Sequence, residues 1–256
     1  MFLKSFIADL PALLLSLPAI LLALSFHEMC HAFAAYKLGD PAAYNLGRMT
    51  LNPAKHLDPL GFLCMLFFRF GWASPVPINT RNFKNPRRDM AISAAAGPLS
   101  NVLLGIASGL VLRLMLYLTG EYFYDDIVAY VLQDTANVGL GFVVMAILTY
   151  MLFACMTINF TYAIFNLLPV PPWDGSRIFY VFLPPKWYFG IMKHERTIMI
   201  VMMILLCLGA LSGPLAWMIN GITNGMLSLL GIKFGSDPYL VFSVILELID
   251  SLISIS

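Results

Sequence analysis

Residues 27–31 read His-Glu-Met-Cys-His, which sets two histidines four positions apart with a glutamate between them. Residues four apart lie on one face of an α-helix, so a helix through this motif presents the imidazoles of His27 and His31 to one metal ion. Glu28 then lies beside them in the position of a general base. This spacing predicts one bound Zn²⁺ per chain and metal-assisted hydrolysis.

A catalytic zinc ion takes three protein ligands and keeps one position open for water, so a third ligand must come from elsewhere in the chain. Asp174 is the leading candidate because it ends an uncharged run at residues 135–173. As one helix that run would be about 58 Å long, nearly twice the hydrocarbon thickness, and its prolines require a break after Asn166. Irregular backbone at membrane depth is tolerated where it is buried in protein or lines a watery cavity. The remaining candidates for the third ligand are Asp40, His56, Asp58, His194 and Glu195.

The composition predicts that these polar groups belong to a membrane protein. Hydrophobic residues make up 60% of the 256 residues and charged residues only 11%, whereas soluble domains carry about 25% charged residues. The formal net charge of +1 gives no composition-based reason to expect nucleic-acid binding. The four cysteines are scattered, and we expect them to act as small apolar side chains.

Long uncharged runs predict an all-α polytopic membrane protein that forms a single membrane-embedded domain over residues 1–256, since a spanning helix needs about 20 mainly apolar residues. Three core spans are expected at about residues 10–36, 90–118 and 137–181, with a further span at about residues 197–222. A shorter apolar run at residues 60–68 is expected to be re-entrant or interfacial, and it is a candidate substrate gate. Residues 238–255 carry Glu247 and Asp250 and are expected to form an amphipathic interfacial helix, with a fifth span as the alternative.

The basic residues predict how the spans are oriented. Twelve of the fifteen Lys and Arg residues fall within residues 37–88 and 177–196, whereas residues 119–137 contain no Lys or Arg and several acidic residues. The positive-inside rule then predicts that both basic stretches face the cytoplasm and that the acidic connection lies outside. A metal bound at the end of the first span would lie toward the cytoplasmic side of the cell membrane.

Two further motifs follow the histidine motif along the chain. Residues 97–101 read Gly-Pro-Leu-Ser-Asn, and residues 166–175 begin with Asn-Leu-Leu-Pro and end in Asp-Gly. With residues 27–31, these motifs resemble the site-2 protease family of intramembrane zinc metalloproteases, in the family's order and over its three-span core at about residues 10–181. No segment is long or polar enough for the PDZ or CBS domain of other branches, so the chain resembles a short bacterial-type member.

The resemblance implies a role for each motif residue. In that family the two histidines and the aspartate bind zinc and the glutamate activates water, which transfers to His27, His31, Asp174 and Glu28. Asn166 is a candidate for substrate binding or transition-state support, and Asn101 and His56 are further candidates. The alternative interpretations are a structural role in the helix break for Asn166, interhelical bonding for Asn101 and an interfacial position for His56.

The resemblance also extends to residues 47–59, which we expect to form a small membrane-associated β segment after the first span. A transmembrane helix shields its own peptide bonds, so a substrate must present an extended stretch, and we hypothesise that residues 44–52 supply an edge for it. The expected partners are the lipid bilayer and a single-span membrane protein. Cleavage near the cytoplasmic face would release a cytosolic fragment, as in regulated intramembrane proteolysis. The sequence does not determine the oligomeric state.

Two other functions are compatible with the histidine motif. A membrane zinc protease with a glutamate as third ligand, which cuts outside the bilayer, would need Glu195 or Glu247 to face the motif. A non-proteolytic metal-binding membrane protein would have no need of Glu28. Both functions stay open as alternatives to intramembrane proteolysis.

Overall fold

The computed structural model describes residues 2–68, 71–119 and 140–232, and this part of the chain is mostly helical. Its helices are α1 (Phe2–Lys37), α2 (Ala42–Asn45), α3 (Pro59–Phe68), α4 (Pro86–Thr119), α5 (Leu140–Asn166), α6 (Asp174–Tyr180), α7 (Pro185–Lys193), α8 (Glu195–Cys207) and α9 (Ser212–Leu229). Two short 3₁₀ turns lie at Pro53–Lys55 and Thr80–Asn82. The predicted helical class is therefore confirmed.

Three helices are long and apolar enough to cross a membrane. These segments are Ala12–Lys37, Pro86–Thr119 and Val143–Asn166. Each overlaps one of the three predicted core spans, although the third helix ends before residue 181, the predicted end of its span. The third helix ends at Asn166, so the predicted break at that residue is also confirmed.

The stretch predicted as a fourth span, residues 197–222, is divided between α8 and α9. Gly209 lies between these two helices with a φ of 71°, a left-handed conformation that glycine adopts without steric cost. Among the described residues, only the three core helices have the length and hydropathy of a membrane span. The C-terminal helix predicted at residues 238–255 lies outside the described residues.

The small β segment expected at residues 47–59 is not observed, because the described residues form no strand there. Gly47 turns the chain with a φ of 64°, and the Asn52 side chain accepts a hydrogen bond from the backbone two residues on, which begins a 3₁₀ turn. One isolated antiparallel bridge joins Leu57 to Ala73. Turn-forming side chains outweigh the local β propensity in this segment, so the hypothesised substrate-pairing edge has no strand to build on.

The chain divides into two compact units, of which the first contains the segments Met1–Ile20, Gly105–Ile158 and Thr223–Ser256. Within this unit α4 and α5 approach closely, because a Cβ atom on Gly109 would lie 3.0 Å from the Met156 sulfur. The Ser108 hydroxyl donates a hydrogen bond to the Cys155 Sγ atom at 3.2 Å. Small residues thus allow the close helix packing that is typical of membrane proteins.

The second unit contains the segments Leu21–Leu104 and Asn159–Ile222, and with them every motif residue named above. Its apolar cluster joins the last turns of α1 to the loops that follow. The members are Ala32, Ala43 and Val76, packed against Met49 and Ile78. This cluster fixes the loop before α4 beside the histidine motif.

Candidate metal centre

The imidazoles of His27 and His31 meet the carboxylate of Asp174 within the second unit. Both Nε2 atoms lie 3.1 Å from the Asp174 Oδ2 atom, and they lie 2.9 Å from each other. The two histidines are buried, and Asp174 is half-buried. One helical turn separates the histidines on α1, so both rings lie on the same face of the helix, as predicted, and both reach Asp174.

These three side chains fit a zinc ion. Bonds of about 2.0–2.1 Å in a tetrahedral site put ligand atoms about 3.3 Å apart, close to the separations found here. Two imidazoles and a carboxylate are also a donor set that catalytic zinc uses. In the part of the chain that the structure describes, no other three His, Cys, Asp or Glu side chains converge in this way.

Asp174 reaches the histidines because of the break between α5 and α6. The first of these helices ends at Asn166, and the second begins at Asp174. A Cβ atom on Gly175 would clash with the backbone of Leu167 and Leu168, so only glycine lets the chain turn back this closely. The Asp-Gly pair therefore combines a candidate ligand with the residue that permits its approach.

α4 lies directly against the two imidazoles at Gly97. A Cβ atom there would lie 2.7 Å from Cε1 of His27 and closer still to the ring of His31. Real Cβ atoms do not make such contacts, so any side chain would displace the rings. The glycine of the Gly-Pro motif thus has a steric role at the metal centre, while Pro98 lies inside α4 without ending it.

The amide of Asn101 holds the ring of His27. Its Oδ1 atom lies 2.6 Å from His27 Nδ1, and its Nδ2 atom donates to Asn159 Oδ1 at 2.8 Å and to the Ala23 carbonyl at 3.1 Å. An amide oxygen only accepts hydrogen bonds, so the contact requires a proton on Nδ1 and leaves the Nε2 lone pair for a metal. This geometry favours ligand orientation over the substrate contact predicted for Asn101.

The backbone holds His31 in the same way. Its Nδ1 atom lies 2.8 Å from the carbonyl oxygen of Ser93, which again requires a proton on Nδ1. The Ser93 hydroxyl in turn donates to the His31 carbonyl at 3.2 Å. In the neutral form of each ring, Nε2 is therefore the nitrogen left for a metal, and both Nε2 atoms face the same point.

Glu28 is buried next to His27 on α1. Only 7% of its surface is exposed, and its Oε2 atom accepts a hydrogen bond from the backbone N–H of Val76 at 3.0 Å. No cationic side chain among the described residues forms an ion pair with it. A carboxylate held by one neutral donor keeps oxygen lone pairs for proton transfer.

The charge on Asp174 is stabilised by the two histidines. Burial by itself would raise the pKa of this carboxyl group. In the metal-free protein, the attraction of a protonated His31 and the hydrogen bonds donated by both imidazoles bring this pKa below its usual value. Asp174 is therefore ionised at neutral pH, which is the form that a zinc ligand requires.

His56 and Asn166, the other two residues predicted to support the substrate or the transition state, form hydrogen bonds away from the metal centre. The buried His56 has its Nε2 atom 2.8 Å from the Thr50 carbonyl, and Asn166 donates from Nδ2 to the Tyr162 carbonyl at 3.0 Å. Within the described residues, neither side chain makes a hydrogen bond to the three candidate ligands. The contact of Asn166 agrees with the alternative interpretation, a structural role at the helix break.

The remaining third-ligand candidates also have structural partners. Asp40 binds the backbone N–H of Asn79, Asp58 binds that of Gly61, His194 contacts the Gly190 carbonyl, and Glu195 pairs with Arg177. Glu247, which the glutamate-ligand alternative also requires, lies outside the described residues. Of all these candidates, the structure brings Asp174 alone to the two histidines in the chain segments it describes.

Sequence reasoning missed three groups at the site, namely Asn159, the Ser93 carbonyl and the Val76 N–H. A signal for the first was available, because Asn159 is an amide in an apolar span about two helical turns before Asn166. The other two are backbone groups, whose roles depend on which segments meet in the fold. Residue types carry no signal for them.

Known proteins resemble the chain over most of its length. The model of peptidase family M50 matches residues 16–212. A Bacillus subtilis (strain 168) protein named "Putative zinc metalloprotease YwhC" is 36% identical over 186 residues, which cover 73% of this chain and 77% of that protein. Proteins of the same description named Rip2, from Mycolicibacterium smegmatis and Mycobacterium tuberculosis H37Rv, are each 26% identical over 196 and 200 residues, covering 75% of this chain and 66% of each relative. No solved structure matches the chain.

Proposed function

The chain belongs to peptidase family M50, the zinc metallopeptidases of the site-2 type, and from this membership we propose that it is an intramembrane endopeptidase. It would hydrolyse a peptide bond in or near the transmembrane segment of a membrane-protein substrate. One observation carries the proposal: the Nε2 atoms of His27 and His31 and the Oδ2 atom of Asp174 lie 2.9–3.1 Å from one another. The histidines lie on a helix that is apolar enough to span a membrane, and Asp174 begins the short helix after the break that follows another such helix.

In the proposed mechanism, His27, His31 and Asp174 hold the zinc ion. When bound, the ion would supply Lewis acidity, which would lower the pKa of water to about 7 and polarise the scissile carbonyl. Glu28 takes the proton of the attacking water and delivers it to the leaving amine. Asn101 keeps the His27 ring in the tautomer that binds metal, so it acts on the reaction through the ligand.

The proposed substrate is a single-span membrane protein, cut near the cytoplasmic face of the cell membrane to release a cytosolic fragment. Twelve of the fifteen basic residues lie in the two stretches that the positive-inside rule assigns to the cytoplasm. The first of these stretches begins at Lys37, just after the histidine motif. This arrangement supports a metal centre on the cytoplasmic side, and we propose regulated intramembrane proteolysis as the biological reaction.

Glu28→Gln tests the proposed role of the general base. The amide keeps the size of the side chain but cannot take a proton, so we expect kcat for a single-span substrate to fall at least about 100-fold. Zinc content, measured by atomic emission, should stay at one ion per chain, because Glu28 is not a proposed ligand. Unchanged cleavage by Glu28→Gln would contradict the proposal.

The matched control is Glu195→Gln, the same chemical change at a carboxylate that pairs with Arg177. This variant should retain both zinc and cleavage. Loss of zinc in Glu195→Gln would instead support a protease that uses a glutamate as its third ligand.

A further inference from the structure

The backbone donor to Glu28 belongs to residues 74–82, the loop before α4, which we call the strap. The Val76 N–H donates to Glu28 Oε2 at 3.0 Å in a buried contact. Pro75 and Pro77 flank Val76, and proline has no N–H, so Val76 carries the one backbone donor of these three residues. The sequence of the strap thus leaves a single backbone N–H donor at this point.

The side chain of Val76 attaches the strap to α1 a second time. Val76 is 8% exposed and belongs to the apolar cluster with Ala32 and Ala43. Ala32 lies four residues after Glu28, so the two share one face of α1. The hydrogen bond and the apolar contact therefore hold the same strap residue at neighbouring turns of the helix that carries the general base.

Beyond Val76, the strap is held by the buried carboxylate of Asp40. This side chain is fully buried and accepts hydrogen bonds from the Asn79 N–H and from Asn82 Nδ2, each at 2.7 Å. It also accepts from the Ala42 N–H at 3.1 Å. A buried carboxylate with three donors is costly to disturb, so it fixes the strap three residues away from Val76.

Before Val76, the strap is held by the guanidinium of Arg48. Its Nη2 atom donates to the carbonyl oxygens of Ser74 and Pro75, at 2.5 and 3.3 Å. The strap is therefore tied down on both sides of the residue that contacts Glu28. These contacts hold the Val76 N–H in place beside Glu28.

We infer that the strap is a positioning element for the general base, and that Asp40 is a positioning residue that acts through it. The Val76 N–H occupies Oε2 of Glu28, which leaves Oε1 to take the proton from water. This inference rests on the general-base role proposed for Glu28. It assigns a function to Asp40, which sequence reasoning had considered only as a metal ligand.

Val76→Pro tests the inference, because proline removes the N–H and accepts the extended backbone of a proline-rich strap. We expect kcat to fall about 10- to 100-fold, as for loss of a hydrogen bond to a charged group. KM should stay within about threefold and zinc at one ion per chain, because no ligand is touched. Val76→Ala keeps the N–H but loses part of the apolar contact, so its kcat should fall only about threefold and stay well above that of Val76→Pro.

Asn82→Ala tests the more distant anchor by removing an exposed side chain. Loss of one bond to Asp40 should lower kcat about two- to fivefold with KM and zinc content unchanged. If Val76→Pro loses zinc or fails to fold, Asn82→Ala decides the matter, and an unchanged kcat there overturns the inference.

Two further outcomes separate the inference from the proposed function. A Val76→Pro protein that binds zinc and has the kcat of Val76→Ala would overturn the positioning role, and a rise in kcat would identify the strap as a barrier to substrate. Glu28→Gln measured in parallel serves as the reference. Full activity of Glu28→Gln would refute the proposed function itself, whereas its inactivity beside an active Val76→Pro would refute the strap alone.

Discussion

His27 and His31 each use Nδ1 to bind a neutral acceptor, which is the Asn101 amide oxygen for one and the Ser93 carbonyl for the other. Both contacts require a proton on Nδ1, so Nε2 is the nitrogen of each neutral ring that is left for a metal. Such partners of metal-binding histidines commonly contribute about 10- to 100-fold to metal affinity. The chemistry of the site therefore depends on residues of α4 as much as on the motif in α1.

Removal of a single ligand should abolish tight zinc binding. Asp174→Ala and His31→Ala each leave two protein ligands, and we expect zinc content to fall below about one-tenth of an ion per chain after dialysis. His194→Ala and Asp58→Ala make the same chemical changes at positions bonded elsewhere, and they should retain the metal. Full zinc occupancy in Asp174→Ala would show that the third ligand is a different residue.

At the scale of elements, three pieces of chain build the centre: α1, α4 and the break between α5 and α6. The sequence could predict the first and the third, because helical spacing pairs His27 with His31 and the prolines end a helix too long for the bilayer. The sequence did not predict that residues 47–59 form turns and no strand. The contact of the strap with Glu28 was equally hidden, since it joins backbone to a side chain 48 positions away.

The passage of α4 across the imidazoles makes Gly97 a sensitive position. Gly97→Ala should lower zinc affinity at least about tenfold, because the new methyl group would overlap the rings of His27 and His31. Helix propensity would act in the opposite direction, since alanine favours a helix by about 1 kcal/mol over glycine. The measurement is a competition titration with a coloured zinc chelator.

Gly141→Ala is the control for this variant, because a Cβ atom at that helical position meets nothing within 4 Å. Its zinc affinity should equal that of the wild type. An equal affinity in Gly97→Ala would mean that the rings have room to move, and that α4 does not confine them.

At the scale of the whole molecule, charged residues are few and unevenly distributed. Only 11% of residues are charged, and three of the described helices have the length and hydropathy of membrane spans. Glu28 is nevertheless buried on the first of these helices, and Asp174 begins the helix that follows the third. A bilayer disfavours such groups unless they are paired or functional, so their position agrees with the membership of peptidase family M50.

The central claim is that this membrane protein uses its zinc centre to cut substrates within or near the membrane. The most direct test gives the purified full-length chain a library of single-span substrates, with and without a zinc chelator, and maps each cut by mass spectrometry. We predict cuts in or near the transmembrane segment toward its cytoplasmic end, abolished by the chelator and restored by added zinc. Cuts confined to segments outside the bilayer, or cleavage that persists after zinc removal, would contradict the account.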